Sequence, residues 1–336
     1  MMPAPTVYRL VLEPRSSFLT ELQSDAIMGH IAWMAAYRNK NDVTELIERC
    51  KDGTPPFLVS SGFPHEHLPM PVPPPLRHEE KNSLADSLYK GLSKQERLAI
   101  MQDHLKKLKK CKYLSINEWH RLIEDLSSQR VIEYLWETQN ADEKKLQSKV
   151  VVVRTAINRL TGTAAEGRLY DHEEMYFASG SKLDIWFKFF DDSMVQKVTI
   201  WLEDLSIHGF GANASSGAGQ FEIISFEKTA NVLPEAKEPN AFMSLSHFTP
   251  AAMDPVTGWC NYIVKRGKLG GQYAVGLGAR AHVWKFPFVM FTPGAVFKTE
   301  GQRVRDYYGR LIENIHESHK SAVQFAYAFP LKIGLK

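Results

Sequence analysis

Residues 6–12 form a short, β-rich apolar stretch closed by Pro14, which predicts an opening strand. Behind it Ile27, Met28, Ile31, Met34 and Ala35 recur at helical spacing, with Ser24 or Asp25 as the N-cap, so a first helix starts there. Gly29 sits inside that helix at a cost of about 1 kcal/mol relative to alanine, and predicts that something approaches the backbone closely. Residues 42–51 read as a second helix and 56–63 as an apolar strand. The run Pro69, Pro71, Pro73, Pro74, Pro75 then excludes helix and inner strand. Residues 79–148 are polar with helical periodicity and carry capping-box signatures at Ser93 with Glu96 and Ser115 with Glu118, predicting an inserted helical region.

Strand character returns at 149–158. Leu183, Ile185, Phe187 and Phe189 alternate with polar or exposed-type residues, which predicts a strand with one buried face. Met194, Val195, Val198, Trp201, Leu202 and Leu205 change the period to that of a helix; glycines 209, 211, 217 and 219 follow as a loop, and 221–226 as another strand. That order suits half of a β-α-β-β-α-β unit. The last third is strand-like at 240–248, 258–265, 272–292 and 324–331, between glycine and proline breaks. The predicted organisation is an α+β domain made of 1–78 and 149–230, a helical insertion at 79–148, and a second β-rich half at 231–336.

Composition supports a folded chain, since 44% of the residues are apolar and 11% aromatic, enough for a sizeable core. Lysine and arginine number 41 against 38 aspartates and glutamates, a net charge of only +3, so a nucleic-acid partner must be met by local patches. Cys50, Cys111 and Cys260 are an odd set without a close pair, the usage of free buried thiols in a reducing compartment. The start lacks the basic-then-apolar pattern of a signal peptide, and no apolar stretch reaches the roughly 18 residues of a membrane span. The expectation is a soluble, cytoplasmic protein without a membrane partner.

The segment with the most chemical content is HGFGANASSGAGQF, from His208 to Phe221. Its glycines permit positive φ and leave no side chains in the way of a ligand, consecutive amides can form an anion-binding nest, and Ser215 and Ser216 add hydroxyl donors, so the loop can cradle a phosphodiester. A long turn is the bland alternative. Gly209, Gly211 and Ala214 also fit the dinucleotide fingerprint, but Gly217 and Gly219 would break the helix it requires and a strand follows instead. No Walker A string occurs. Arg154, Arg159 and Arg168, and the cluster Lys265, Arg266 and Lys268, are candidates for neutralising phosphate. Histidines, cysteines and carboxylates form no HExxH, CxxC or GxSxG arrangement, so neither metal ligands nor a cofactor site nor a catalytic set is assigned. His30, which follows Gly29 on the first helix, is placed to reach a backbone or a base.

Five stretches together resemble the fourth Csm subunit of type III-A CRISPR complexes, a RAMP protein of the Cas five group: LQSDAIMGHIAW at 22–33, FLVSSGFPHEHLPMP at 57–71, AINRLTGTAAEGRLY at 156–170, GFGANASSGAGQFEI at 209–223 and QFAYAFPLKI at 324–333. The resemblance implies a ferredoxin-like (RRM-like) RNA-binding core and a non-catalytic subunit. It further implies capture of the 5′ tag of the guide CRISPR RNA and docking to the large polymerase-like subunit and the backbone RAMP subunits. RNA contact is carried over to Gly209, Phe210, Gly211, Ser215, Ser216, Gly217, Gly219, His30 and Arg159, beside Lys265 and Arg266 from the charge pattern. The loop departs from a phosphate-binding norm in holding no basic residue, so its contacts must come from amides and hydroxyls. Two other classes stay open: a guide-processing RAMP endoribonuclease, for which His30, His208 and Tyr8 are the only loosely suitable set, and a pure scaffold.

Overall fold

The computed structural model describes residues 4–137, 147–157, 160–230, 232–274 and 282–336. Arg159 and Asn158 lie outside the described residues. The chain runs β1 (Thr6–Pro14), α1 (Ser24–Arg38), α2 (Lys40–Lys51), β2 (Phe57–Val59), β3 (Phe63–Pro64), β4 (His67–Pro69), α3 (His78–Leu88), α4 (Lys94–Lys110), β5 (Tyr113–Ser115), α5 (Ile116–Leu122) and α6 (Ser128–Glu137). It continues with β6 (Gln147–Ile157), β7 (Ala164–Phe177), β8 (Leu183–Phe189), α7 (Met194–His208) and β9 (Phe221–Lys228). Short strands follow: β10 (Ala241–Ser244), β11 (Gly258–Trp259), β12 (Tyr262–Lys265), β13 (Phe288–Phe291), β14 (Val296–Lys298), β15 (Tyr308–Ile312), β16 (Gln324–Ala328) and β17 (Pro330–Ile333). The fold is mixed α and β, with antiparallel sheets.

In the first half the strand order is β2, β8, β1, β9, all antiparallel, and β3 pairs with the first residues of β8. Helices α1 and α7 cover one face of this sheet. Leu10, Leu12, Phe187 and Phe189 of the strands meet Ile27, Ile31, Val198, Trp201 and Leu202 of the helices in one buried cluster. The expected single buried face of β8 is corrected here: every residue from Leu183 to Phe189 is buried. Trp186 on the opposite face belongs to a second cluster, with Leu58, Trp119, Leu122, Met243, Val296 and Leu331. Asp184 and Lys188 share that buried face, and each is satisfied: His65, Glu66 and Arg9 converge on the Asp184 carboxylate, while Lys188 Nζ donates to the Pro330 carbonyl at 3.3 Å and lies over the Phe329 ring. Paired polar groups at alternate positions are what made the strand read as half-exposed.

That second cluster also corrects the picture of a separate insertion. Both predicted capping boxes form, Ser93 with Glu96 and Ser115 with Glu118. Yet α5 is a core element: Trp119 and Leu122 are fully buried between the first sheet and the four-stranded sheet β11–β14–β10–β17. The C-terminal end is locked to it, with the Gly334 amide donating to the Ile123 carbonyl and that of Leu126 to Gly334. Only α3, α4 and part of α6 form a small cluster of their own, around Leu84, Ala85, Tyr89, Met101 and Ile132.

Other expectations shift locally. The stretch 56–63 is two strands, because the chain leaves β8 after Ser60, with the Ser61 amide donating to the Leu245 carbonyl at 3.0 Å, and Gly62 packs against Leu22, where a Cβ would come within 2.7 Å. The stretch 272–292 is a strand only at β13; Gly271–Ala274 is a 3-10 turn, and 275–281 lie outside the described residues. Ser24 and Asp25 are not the N-cap of α1 but buried first-turn residues, with Gln23 at the cap. Strand β7, which the sequence did not announce, pairs with β6 in a long ribbon.

Candidate nucleic-acid interface

The glycine loop begins where α7 ends. Gly209, Gly211, Gly217 and Gly219 all have positive φ, as does Asn213, and Ala214–Ser216 makes one 3-10 turn at the crest. The chain leads directly into β9, so the dinucleotide reading has no helix to rest on. Hydrogen bonds from below fix the loop. Phe210 N–H donates to the Gly219 carbonyl at 2.9 Å, Gly219 N–H to the Ser17 carbonyl at 2.8 Å, and Ala212 N–H to Thr20 Oγ1 at 3.0 Å. The lead-in to α1 is thus the floor of the loop, a role nothing in the spacing of Ser17 or Thr20 announced.

Three of the four glycines are required by the chain itself. A Cβ on Gly219 would lie 1.9 Å from the Phe210 carbonyl oxygen, one on Gly211 2.5 Å from Thr20, and one on Gly209 2.8 Å from the Ala218 carbonyl oxygen. This corrects the expectation that all four leave room for a ligand; only at Gly217 does an added Cβ meet nothing within 4 Å. Phe210 is corrected too, because its ring is 1% exposed and packs on Phe18 and His30 as the loop's core anchor. What the crest does present is Ser215, Ser216 and Gly217, all exposed, together with the N–H groups of Asn213, Ala214 and Ser215, which donate to no described group.

His30 reaches a backbone, that of the loop. Its Nε2 accepts the Gly211 N–H at 3.1 Å, and its ring packs tilted against Phe210, centroids 4.8 Å apart. Burial, aided by the nearby Lys285 charge, lowers its pKa to about 4, so the ring is neutral and free to accept. Gly29 beside it packs against nothing within 4 Å of an added Cβ, so among the described residues none makes the close approach expected there. One turn further along α1, Trp33 supports a second glycine pair that sequence reasoning passed over: Cβ atoms on Gly270 and Gly271 would fall 2.4 and 2.5 Å from its ring. The half-buried ridge of α1 formed by His30 and Trp33 therefore runs between a glycine segment from each half of the chain.

The basic candidates separate. Lys265 is ion-paired with the buried Asp25 in the first turn of α1, so its charge is already spent inside the chain, and the expectation of a phosphate contact there is corrected. Gln324 donates to Asp25 at 2.8 Å and accepts from Lys285 at 2.7 Å, whose pKa burial lowers to about 8. Arg154 meets buried Glu174. Arg266 is exposed. Of the other titratable candidates, His208 donates Nδ1–H to the Asp204 carbonyl at 2.8 Å, and half-buried Tyr8 packs against Phe189 and Phe226 beside the sheet core. Among the described residues, no three His, Cys, Asp or Glu side chains gather as a metal site, and no helix is long and apolar enough to cross a membrane.

Buried His247, whose Nδ1 lies 3.1 Å from Ser61 Oγ, is likewise lowered by burial to about 4, although the Asp25 charge opposes the shift. Against an ordinary value of 6.5, the unfolded chain takes up protons that the folded chain refuses until about 4. Stability is then complete above about pH 6.5 and falls as the pH drops through that window. The expected result is a melting temperature that declines between about pH 6.5 and 4.5, with a shallower decline for His30→Gln, whose amide oxygen can still accept from Gly211. A flat profile in the parent chain would rule this out.

No family model and no curated relative matches the chain. Solved structures do. Over 97% of its length it aligns with 99% of a chain in the crystal structure of a Csm3–Csm4 subcomplex in the type III-A CRISPR-Cas interference complex, at 16% identity and a TM-score of 0.58. It aligns over 98% with 99% of a chain in crystal structures of a Csm1–Csm4 cassette, in complex with cA4 at a TM-score of 0.57 and with pppApA at 0.56, both at 18% identity. The fold is therefore that of a subunit of Csm assemblies. Csm4 is the component these assemblies have in common, and the chain is Csm4-like in fold.

Proposed function

We propose that this chain is the Csm4-like, non-catalytic RAMP subunit of a type III CRISPR effector complex, acting in antiviral defence in the cytoplasm. In this reading it holds the 5′ tag of the guide RNA and links the backbone subunits to the large polymerase-like subunit. The observation that carries it is the end-to-end likeness to chains of assemblies that pair Csm4 with two different partners, Csm1 and Csm3. The order β1-α1-β2-β8-α7-β9, with strands arranged β2, β8, β1, β9, supports a ferredoxin-like reading of the first half. The amides of Asn213, Ala214 and Ser215 and the Ser215 hydroxyl, which bond to no described group, suit a phosphate backbone, while the Ser216 hydroxyl is held by the Asn213 carbonyl at 2.9 Å. The ribonuclease alternative has less to rest on, because His30 Nε2 is engaged by Gly211, half-buried Tyr8 packs against the sheet core and His208 Nδ1 is tied to its own helix, so these three do not face one another as an acid and a base.

Gly217→Val tests the loop. Its φ of +90° makes a side chain strained, at about 1–2 kcal/mol, but nothing blocks it, so the chain stays folded while the crest gains bulk. Guide RNA recovered with the assembled complex is expected to fall severalfold, with the tag at the 5′ end of what remains. Undiminished loading would remove the loop from the RNA path, and an assembly without bound RNA would remove the function.

A further inference from the structure

The modest net charge of the chain conceals a segment of a different character. Between Asp254 and Glu300 there is no acidic residue, while Lys265, Arg266, Lys268, Arg280, Lys285 and Lys298 all fall there. The segment includes the ribbon of β12 and β13, extended by the bridge between Lys268 and Trp284. Its two faces differ. Inward go Lys265 to its pair with Asp25, Lys285 to Gln324, and Met290 to full burial. Outward stand Tyr262 at 66%, Trp284 at 41% and Phe286 at 47% exposure, with the paired Val264 and Val289 and the cations Arg266 and Lys268 also exposed. Lys268 Nζ lies 5.0 Å over the Trp284 ring, and neither it nor Arg266 is ion-paired within the described chain.

Exposed aromatic planes beside unpaired cations, in a segment without carboxylates of its own, are the chemistry of single-stranded nucleic acid: bases stack on the rings and phosphates meet the cations. An apolar protein partner would not call for the cations, and a structural turn would not expose the rings. The far end of the ribbon docks through Gly270 and Gly271 onto Trp33, one turn from His30 and its contact with the glycine loop. We infer that the outer face of this ribbon is a base-stacking platform for single-stranded RNA, with Tyr262 and Trp284 as stacking residues and Arg266 and Lys268 on the phosphates. The inference rests on the RNA-binding reading and adds a second surface to it.

The test uses the full chain with fluorescent single-stranded RNAs of equal length, one bearing the 5′ tag and one without, and the variants Tyr262→Ala, Trp284→Ala, Trp284→Phe and Arg266→Gln. Because these side chains are exposed, melting temperatures should hold. Each alanine is expected to weaken binding about tenfold, and Trp284→Phe to restore most of it. Arg266→Gln should lower the slope of log affinity against log salt by roughly 0.7. Loss confined to the tagged RNA would assign the platform to the guide, loss on both to any single strand. Unchanged affinity in both alanine variants, while Gly217→Val still weakens binding, would overturn the platform and leave the RNA-binding reading intact. Failure of the parent chain to bind either RNA would overturn both. Loss of a protein subunit from the assembly of Trp284→Ala, with RNA affinity unchanged, would make the face a protein interface and refute the inference.

Discussion

Valine at position 219 is expected to unfold the glycine loop and lower the stability of the chain by about 3 kcal/mol or more. Gly219 has a φ of +70°, and the 1.9 Å approach of an added Cβ to the Phe210 carbonyl oxygen involves backbone, which cannot rotate away. Relief requires breaking the Phe210 to Gly219 hydrogen bond and drawing the Phe210 ring from its place between Phe18 and His30. Denaturant midpoints of Gly219→Val and Gly217→Val make the comparison, since both carry the positive-φ penalty and only the first carries the clash. Equal losses would mean that the loop is not anchored through Phe210. The contrast also means that RNA-loading defects of a Gly219 variant report folding, whereas those of Gly217 report the crest.

Trp119→Ala should destabilise the chain by about 3–5 kcal/mol, the range for a large aromatic removed from a closed core. The informative part is what melts. Trp119 lies in the helical segment between β5 and α6 but is buried with Trp186 of the first sheet and Met243 and Leu331 of the second. A cavity there loosens both halves together, so unfolding followed by circular dichroism and by limited proteolysis at either end should show one transition, shifted as a unit. If the first sheet kept its midpoint while 79–137 alone became protease-sensitive, the segment would be an appendage after all.

Much of the first half was legible because it obeys local rules. The apolar spacing of α1 and α7, the strands β1 and β9, and both capping boxes are written in neighbouring residues. Strand β8 was legible as a strand but not as a doubly buried one, since Asp184 and Lys188 are hidden by partners distant in sequence: His65, Arg9 and Pro330. Strand β7 gave no binary signal because the ribbon it makes with β6 is exposed along much of both faces, Val151, Val153 and Leu169 among the open positions. At the site, the glycines identified the loop but not the division of labour within it. Which glycine serves the chain and which faces out depends on Ser17, Thr20 and Phe210 meeting in space, and a loop with positive φ at five places reads the same from sequence in either case. Lys265 and Arg266 are adjacent and chemically alike; only the direction of one strand residue, toward Asp25 or toward solvent, separates them.

The central position of β1 governs the order in which the molecule can be made. Its neighbours in the sheet, β8 and β9, are synthesised only after residues 183–228 emerge, so the first strand leaves the ribosome with Leu10, Val11 and Leu12 and both backbone edges uncovered. At translation rates of about 5–20 residues per second the wait is on the order of 10–40 s, long compared with hydrophobic collapse. Helices α1 and α2 can form in that interval but have no sheet to rest on. A nascent chain stalled before residue 183 should therefore be chaperone-bound and protease-sensitive, and one released beyond residue 228 should acquire protection in its first half abruptly, with β1 inserted between partners that arrive last.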